Sequence, residues 1–458
     1  MDLARVPRAA LGRRRDDLAR RLGNRAALIA AGRPRPRNYA ANTFPFRAAS
    51  HFLYFFGLPL REGMGLWDGS TWTLYLPPPA PDDALWMGPT PGLDEIARAV
   101  GCPARPLDAL AGALRGRGDD TATLPAPDLE TCRDLSELLG RAVAPGVLAD
   151  VDGPLADAVI ALRLVHDDAA QAELRAAAEA TAAAHRAGRA ATRPGVRESV
   201  VRAAMEAEII ARGMTVAYGS IVTTHGEVLH NEEHENLIEA RDLILADVGA
   251  ETAAGFAGDV TRTWPADGRY TPTQAELYDV VLAAQREAIA AVRPSVRYRD
   301  VHAIACRALA RGLCALGILR GDPDQLVADG VHALLFPHGI GHLLGLDVHD
   351  MEDLGDRAGY APGRARARQF GLGYLRLDRD LVPGMAVTIE PGLYLCPAIL
   401  ERPALAQLAG DRIDRARLAA YADVRGIRIE DDVLVTPGGC EVLTVAIPKD
   451  RIAIEAAR

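Results

Sequence analysis

The 458-residue chain has almost no lysine: of its 52 basic residues, Lys449 alone is not an arginine. A P-loop needs a lysine after its glycines, a protein kinase needs one on a strand, and a pyridoxal enzyme needs one for its Schiff base. Lys449 follows Ile447-Pro448 with no glycine loop before it, so all three chemistries are excluded. Arginine replaces surface lysine nearly everywhere, and its excess is read as compositional. A CxxC pair is also missing. The six cysteines, Cys102, Cys132, Cys306, Cys314, Cys396 and Cys440, read as reduced, mostly buried thiols of a cytoplasmic protein. No stretch approaches 18 apolar residues, so no membrane span is expected. Basic excess is lacking too, and a formal charge of -9 argues against nucleic acid as a partner. The one basic concentration runs from Arg5 to Arg37 and includes Arg13-Arg14-Arg15. Asp16 and Asp17 interrupt it and no apolar core follows, so it is not a secretory signal. It reads as the solvated face of an N-terminal helix.

What is present divides the chain in two. Residues 44–90 read as short strands and turns, among them Phe52-Leu53-Tyr54-Phe55-Phe56 before Gly57 and Trp72 to Leu76 before three prolines. Helices fit 93–100 and 128–142. The breaker Asp152-Gly153-Pro154 marks the boundary between domains 1–152 and 153–458. An alanine-rich helical run from Leu155 to Thr192 follows, ended by Pro194-Gly195, then a helix over 198–212. Strands and turns over 216–265, two helices over 274–319 and strands over 384–446 make the second domain α+β.

Histidine is unevenly spread. Three of the eleven, His338, His342 and His349, share a twelve-residue window whose glycines allow close approach. Carboxylates stand inside apolar strand patterns: Asp247 in LILADVG, Asp259 in GFAGDVTRT, Glu390 in VTIEPG and Glu430 in GIRIEDDV. A buried carboxylate needs a partner. Four converging acids need four positive charges, and the nearby arginines, Arg262 and Arg428, supply two at most. Two divalent cations supply all four. Oxygen ligands with one histidine suit a harder ion, manganese first, with cobalt, iron or zinc as alternatives. Paired ions of this kind support hydrolysis.

Together these segments resemble the pita-bread metallopeptidases, in the branch that contains aminopeptidase P and prolidase. Asp247 in LADVG, Asp259 in GDVTRTWP, His342 in HGIGHLLGLDVHD, Glu390 in TIEPGLY and Glu430 in GIRIEDD fall on the family's five metal-ligand motifs in its order. Phe46 to Gly57 resembles, more loosely, the creatinase-type N-domain. The resemblance implies an α+β pita-bread catalytic domain preceded by a smaller α/β creatinase-type domain. It implies pocket roles for His230, His338 and His349, and a second duty for Glu390 as general base toward water. Arg428 would sit beside the metals, and Tyr394 near the reaction centre. The substrate would be a peptide with proline second, and the assembly a homodimer or homotetramer in which a neighbouring N-domain shapes the pocket.

The chain departs from the pattern in three places. The Asp247–Asp259 gap is one residue longer, with Thr252 to Ala254 expected to absorb it, and segments 353–380 and 396–425 are inserts. Prolidase is the alternative activity, and a metal-free peptide-binding module a distant one. A creatinase-like enzyme would lack the metal acids, and a methionine aminopeptidase would lack the N-domain.

Overall fold

A computed structural model describes residues 5–79 and 82–456. It has two compact units, Met1–Ala169 and Ala170–Arg458. In the first, a five-stranded mixed sheet has β1 (Ala27–Ala30), β2 (Met64–Trp67), β3 (Trp72–Leu76), β4 (Ala104–Pro106) and β5 (Ala122–Thr123) in the order β4-β3-β2-β1-β5. β1 runs parallel to β5 and β3 parallel to β4, while β1–β2 and β2–β3 are antiparallel.

Two expectations are corrected here. Phe52–Phe56, expected as a strand, belongs to the helix Ser50–Phe56, whose seven residues are all buried and which Gly57 closes at φ 68°. A short apolar run buried on every side has no periodicity to separate helix from strand. The arginine cluster is a solvated face in part: Arg8, Arg13, Arg20 and Arg21 are exposed, but Arg14 and Arg15 are buried. Arg14 donates to the Tyr54 carbonyl and pairs with Asp167 at 2.8 Å, and Arg15 donates to the carbonyls of Phe55 and Val100. Two guanidinium groups thus satisfy carbonyls left over at a helix end.

The second unit opens on the helix Asp168–Ala191, which a break at 164–167 separates from Gly153–Arg163, so the alanine-rich run is two helices rather than one. Then follow the helix Glu198–Ala211 and strands β6 (Thr215–Val216), β7 (Ile221–Thr223), β8 (Leu243–Asp247), β9 (Ala250–Glu251) and β10 (Thr261–Pro265). The helices Pro272–Ala291 and Tyr298–Ala315 come next. Strands β11 (Ala386–Ile389), β12 (Gly392–Tyr394), β13 (Gly426–Arg428), β14 (Asp431–Thr436) and β15 (Gly439–Val442) complete it.

Antiparallel sheets β10-β8-β7 and β11-β14-β15 carry the fold, with β12 and β13 paired beside them. β8 and β10 are buried at every position, β8 through its apolar sequence and β10 with Thr261, Arg262 and Thr263 buried among hydrogen-bond partners. The turn 252–255 is closed by Gly255 N–H to the Thr252 carbonyl, and Asp247 stands opposite Thr261. Insert 396–425 forms three short helices, and insert 353–380 is held to the helix Tyr298–Ala315 by the bidentate Arg297–Asp378 pair at its start. Among the described residues no helix is long and apolar enough to cross a membrane.

Candidate metal centre

Strand ends bring the carboxylates together. Asp247 closes β8 and Asp259 precedes β10, and their backbones approach so closely that a Cβ on Gly249 would meet the Gly258 carbonyl at 1.8 Å. Ile389 of β11 pairs with Asp431 of β14, so Glu390 and Glu430 leave these two strands side by side. Segment 340–344 runs along β11: Thr388 N–H donates to the His342 carbonyl, and Glu390 N–H to that of Ile340. That passage needs Gly341, at φ 152°, where a Cβ would strike the Thr388 carbonyl at 2.3 Å.

The result is one buried cluster. His342 Nε2 lies 3.3 Å from Asp259 and 3.7 Å from Glu390. Asp259, His342 and Glu430 each offer a donor atom within 4.8 Å of the others. The Tyr218 hydroxyl touches Asp247 at 2.5 Å and Asp259 at 2.6 Å, although it has one proton to give. His342 Nδ1 donates to the Leu343 carbonyl at 2.9 Å, which leaves Nε2 as the donor atom facing the acids; metal-binding histidines are oriented in this way.

Electrostatics test whether cations fit. Arg428 is the guanidinium that reaches the cluster, donating to Asp247 at 2.6 Å and to the Thr261 hydroxyl, which in turn donates to Glu430 at 2.7 Å. Arg262 faces the other way and pairs with Asp431 at 2.7 Å. Four carboxylates against one arginine leave three charges uncompensated, more than one divalent ion supplies and within what two supply.

The titration shifts agree. Burial and the neighbouring acids push Glu430 well up, and burial pushes Glu390 up to about 7 despite His342 and Arg428. Burial also raises Asp247, while at Asp259 burial is the largest single influence but the hydrogen bond and charge of His342, with Tyr218 and His349, together hold the carboxyl low. Burial opposes a charged His342, yet Asp259 and Glu390 draw it up to about 9. The acids therefore recruit positive charge, and a mostly oxygen donor set with one imidazole fits divalent ions.

The remaining expected residues stand around this core. His338 Nδ1 donates to the Gly339 carbonyl, so its Nε2 accepts from the Tyr394 hydroxyl at 2.8 Å, and Arg428 donates to that hydroxyl at 3.1 Å. Burial, then Arg428, holds His338 down to about 3. His349 packs on His342 with ring centroids 4.2 Å apart. Burial and His342 keep it below its usual range. His230 lies in an exposed turn and contributes to the field at His338. His234 is buried, with Nδ1 donating to the Val222 carbonyl at 3.1 Å.

Sequence reasoning missed several participants. Tyr218 and Thr261 touch the acids, and neither carries a signal of its own in the sequence. Glu352 sits 3.6 Å from His349 and is itself paired with Arg376 of the 353–380 insert. Lys449 joins Gln285, at 2.9 Å, and Arg262 around Asp431.

Comparison with known proteins follows the same lines. Residues 172–437 match Metallopeptidase family M24, and residues 11–123 match Aminopeptidase P, N-terminal domain. A probable Xaa-Pro aminopeptidase of Aspergillus niger is 32% identical over 416 residues, 88% of this chain and 86% of that protein. The structure of Pseudomonas aeruginosa aminopeptidase PepP superposes with a TM-score of 0.82 at 31% identity, covering 99% of this chain and 98% of that one. Escherichia coli aminopeptidase P with the inhibitor Pro-Leu gives 0.80 at 30%, with 99% and 98% covered.

Proposed function

We propose a reading whose premise is that the chain belongs to metallopeptidase family M24: it is an Xaa-Pro aminopeptidase, a metal-dependent hydrolase that removes the first residue of a peptide whose second is proline. The observation that carries it is the convergence of Asp247, Asp259, His342, Glu390 and Glu430, in a chain that resembles Xaa-Pro aminopeptidases along nearly its whole length. Those five residues would hold two divalent ions, manganese first by donor hardness. When bound, such ions polarise a carbonyl and lower the pKa of water.

The protein's own groups do the rest. Glu390 takes a proton from the attacking water and passes it toward the departing proline nitrogen. His349, kept neutral, donates a hydrogen bond to the developing oxyanion. His338 is fixed by Gly339 and Tyr394, and with His230 it lines the pocket against the proline. Arg428 is a positioning residue: it holds Asp247 directly and Glu430 through Thr261.

The first unit serves self-association and pocket shaping in a homodimer or homotetramer. The six free cysteines support a reducing, cytoplasmic setting. The test offers manganese-loaded protein an Xaa-Pro dipeptide and a longer Xaa-Pro peptide. Faster release of the first residue from the longer peptide is expected, whereas cleavage of the dipeptide alone would make the enzyme a prolidase.

A further inference from the structure

A second cluster of donors lies away from the acids. His302 and Cys306 stand one turn apart on the helix Tyr298–Ala315, which puts both side chains on one face. His332 comes from the short 3-10 turn Val331–Leu334. All three are buried, at 3%, 1% and 6% exposure, and each offers a donor atom within 4.8 Å of the others. Cys306 Sγ is 3.4 Å from His302 Nε2. Nitrogen and sulfur on one trigonal ion at ordinary bond lengths stand roughly 3.8 Å apart.

A thiol donating to His302 accounts for that contact but not for His332. The His332 ring hydrogen-bonds the Leu326 backbone, and its Nδ1 is buried with no partner. An imidazole anchored through one nitrogen to a carbonyl, with the other left bare, is the usual arrangement of a metal ligand. Burial holds His302 down to about 3 and His332 down to about 4, so both rings present neutral lone pairs.

We propose that His302, Cys306 and His332 form a binding site for one soft monovalent cation, copper(I). The donor set selects a soft ion, since thiolate and imidazole favour copper and zinc over the hard ions suited to the acid cluster. Charge and coordination then separate these two. Copper(I) with one thiolate and two neutral imidazoles is electrically neutral, whereas zinc would leave a net positive charge buried. Zinc in a closed site also takes four ligands, and three are present. Binding balances simply: the Cys306 proton leaves to solvent as the sulfur–copper bond forms, with no change of oxidation state. Phe336 stands between His302 and His338, its ring tilted against the first at 5.8 Å and edge-on to the second at 4.8 Å.

The experiment uses full-length, manganese-loaded protein under anaerobic reducing conditions, titrated with copper(I) against the chromophoric chelator bicinchoninate. One equivalent per chain is expected, with a thiolate-to-copper charge-transfer absorption and manganese retained. X-ray absorption of the wild-type complex should show one sulfur and two nitrogens. Cys306→Ser and His332→Ala should each weaken binding at least about 100-fold. Unchanged binding in both variants, displacement of manganese, a shell without sulfur, or tighter binding of zinc than of copper(I) would overturn the assignment.

Discussion

Glu430 and Asp431 are neighbours in sequence and equally buried, yet they live in opposite electrostatic worlds. Asp431 faces Arg262, Lys449, Gln285 and Thr444, and those partners hold its carboxyl low against the cost of burial. Glu430 faces Asp247, Asp259 and Glu390 and is pushed well up. Adjacent positions on a strand point to opposite sides, so a single step along the backbone passes from an acid that the chain neutralises itself to one that it leaves for ions. The difference teaches where to look for cofactors: not where acids are buried, but where buried acids lack side-chain cations.

The sharpest way to break this contrast is Glu430→Ala. It should leave a folded protein whose manganese-dependent hydrolysis falls at least about a thousandfold, and full activity would sink the two-ion centre. Asp431→Asn should do the reverse. It strands Arg262 and Lys449, so denaturant unfolding should show a loss of about 3–5 kcal/mol, while bound metal per folded chain stays unchanged. Metal loss in this variant would mean that the two faces are one network.

His349→Ala tests the rim of the centre. Turnover should drop about 100-fold with metal content near normal, and loss of metal instead would make His349 a ligand or a support for one.

Proton linkage gives a smaller effect with opposite signs on the two faces. In chelated protein Glu390, raised to about 7, contributes stability that is fully present below about 4.5 and lost as pH rises through 7. Asp431, held low, contributes stability present above about 3.8 and lost as pH falls further. Unfolding free energy followed from pH 3 to 8, in the parent and in Glu390→Gln, should show the first slope shrink in the variant without vanishing, because Glu430 and Asp247 are raised as well. An unaltered slope would place the raised carboxyl elsewhere.

Much of the centre was legible because its residues break local pattern: acids in apolar strands and histidines between glycines are conspicuous in one dimension. The same holds for the helix over 93–100 and the strand Trp72–Leu76, which the structure reproduces. The failures are equally physical. Ser50–Phe56 is buried on all sides, so no alternation betrayed its helix. Arg14 and Arg15 looked solvated because charge usually is, and the distant partners that explain their burial, Asp167 and the carbonyls at two helix ends, are invisible in one dimension. Tyr218 and Arg376 come from segments with no pattern of their own, and the contacts that give them meaning span 29 and 24 residues.

The side chain of Lys449, tucked against Asp431, has one consequence outside energetics. It is the single lysine in the chain, and its ion pair leaves it 21% exposed. Amine acylation of the intact protein therefore has one side-chain target, seated against Asp431 at the start of β14. The rate at which that target is modified becomes a stopwatch for transient opening of this part of the sheet, readable by the mass of the peptide that carries Lys449 without any substitution in the chain.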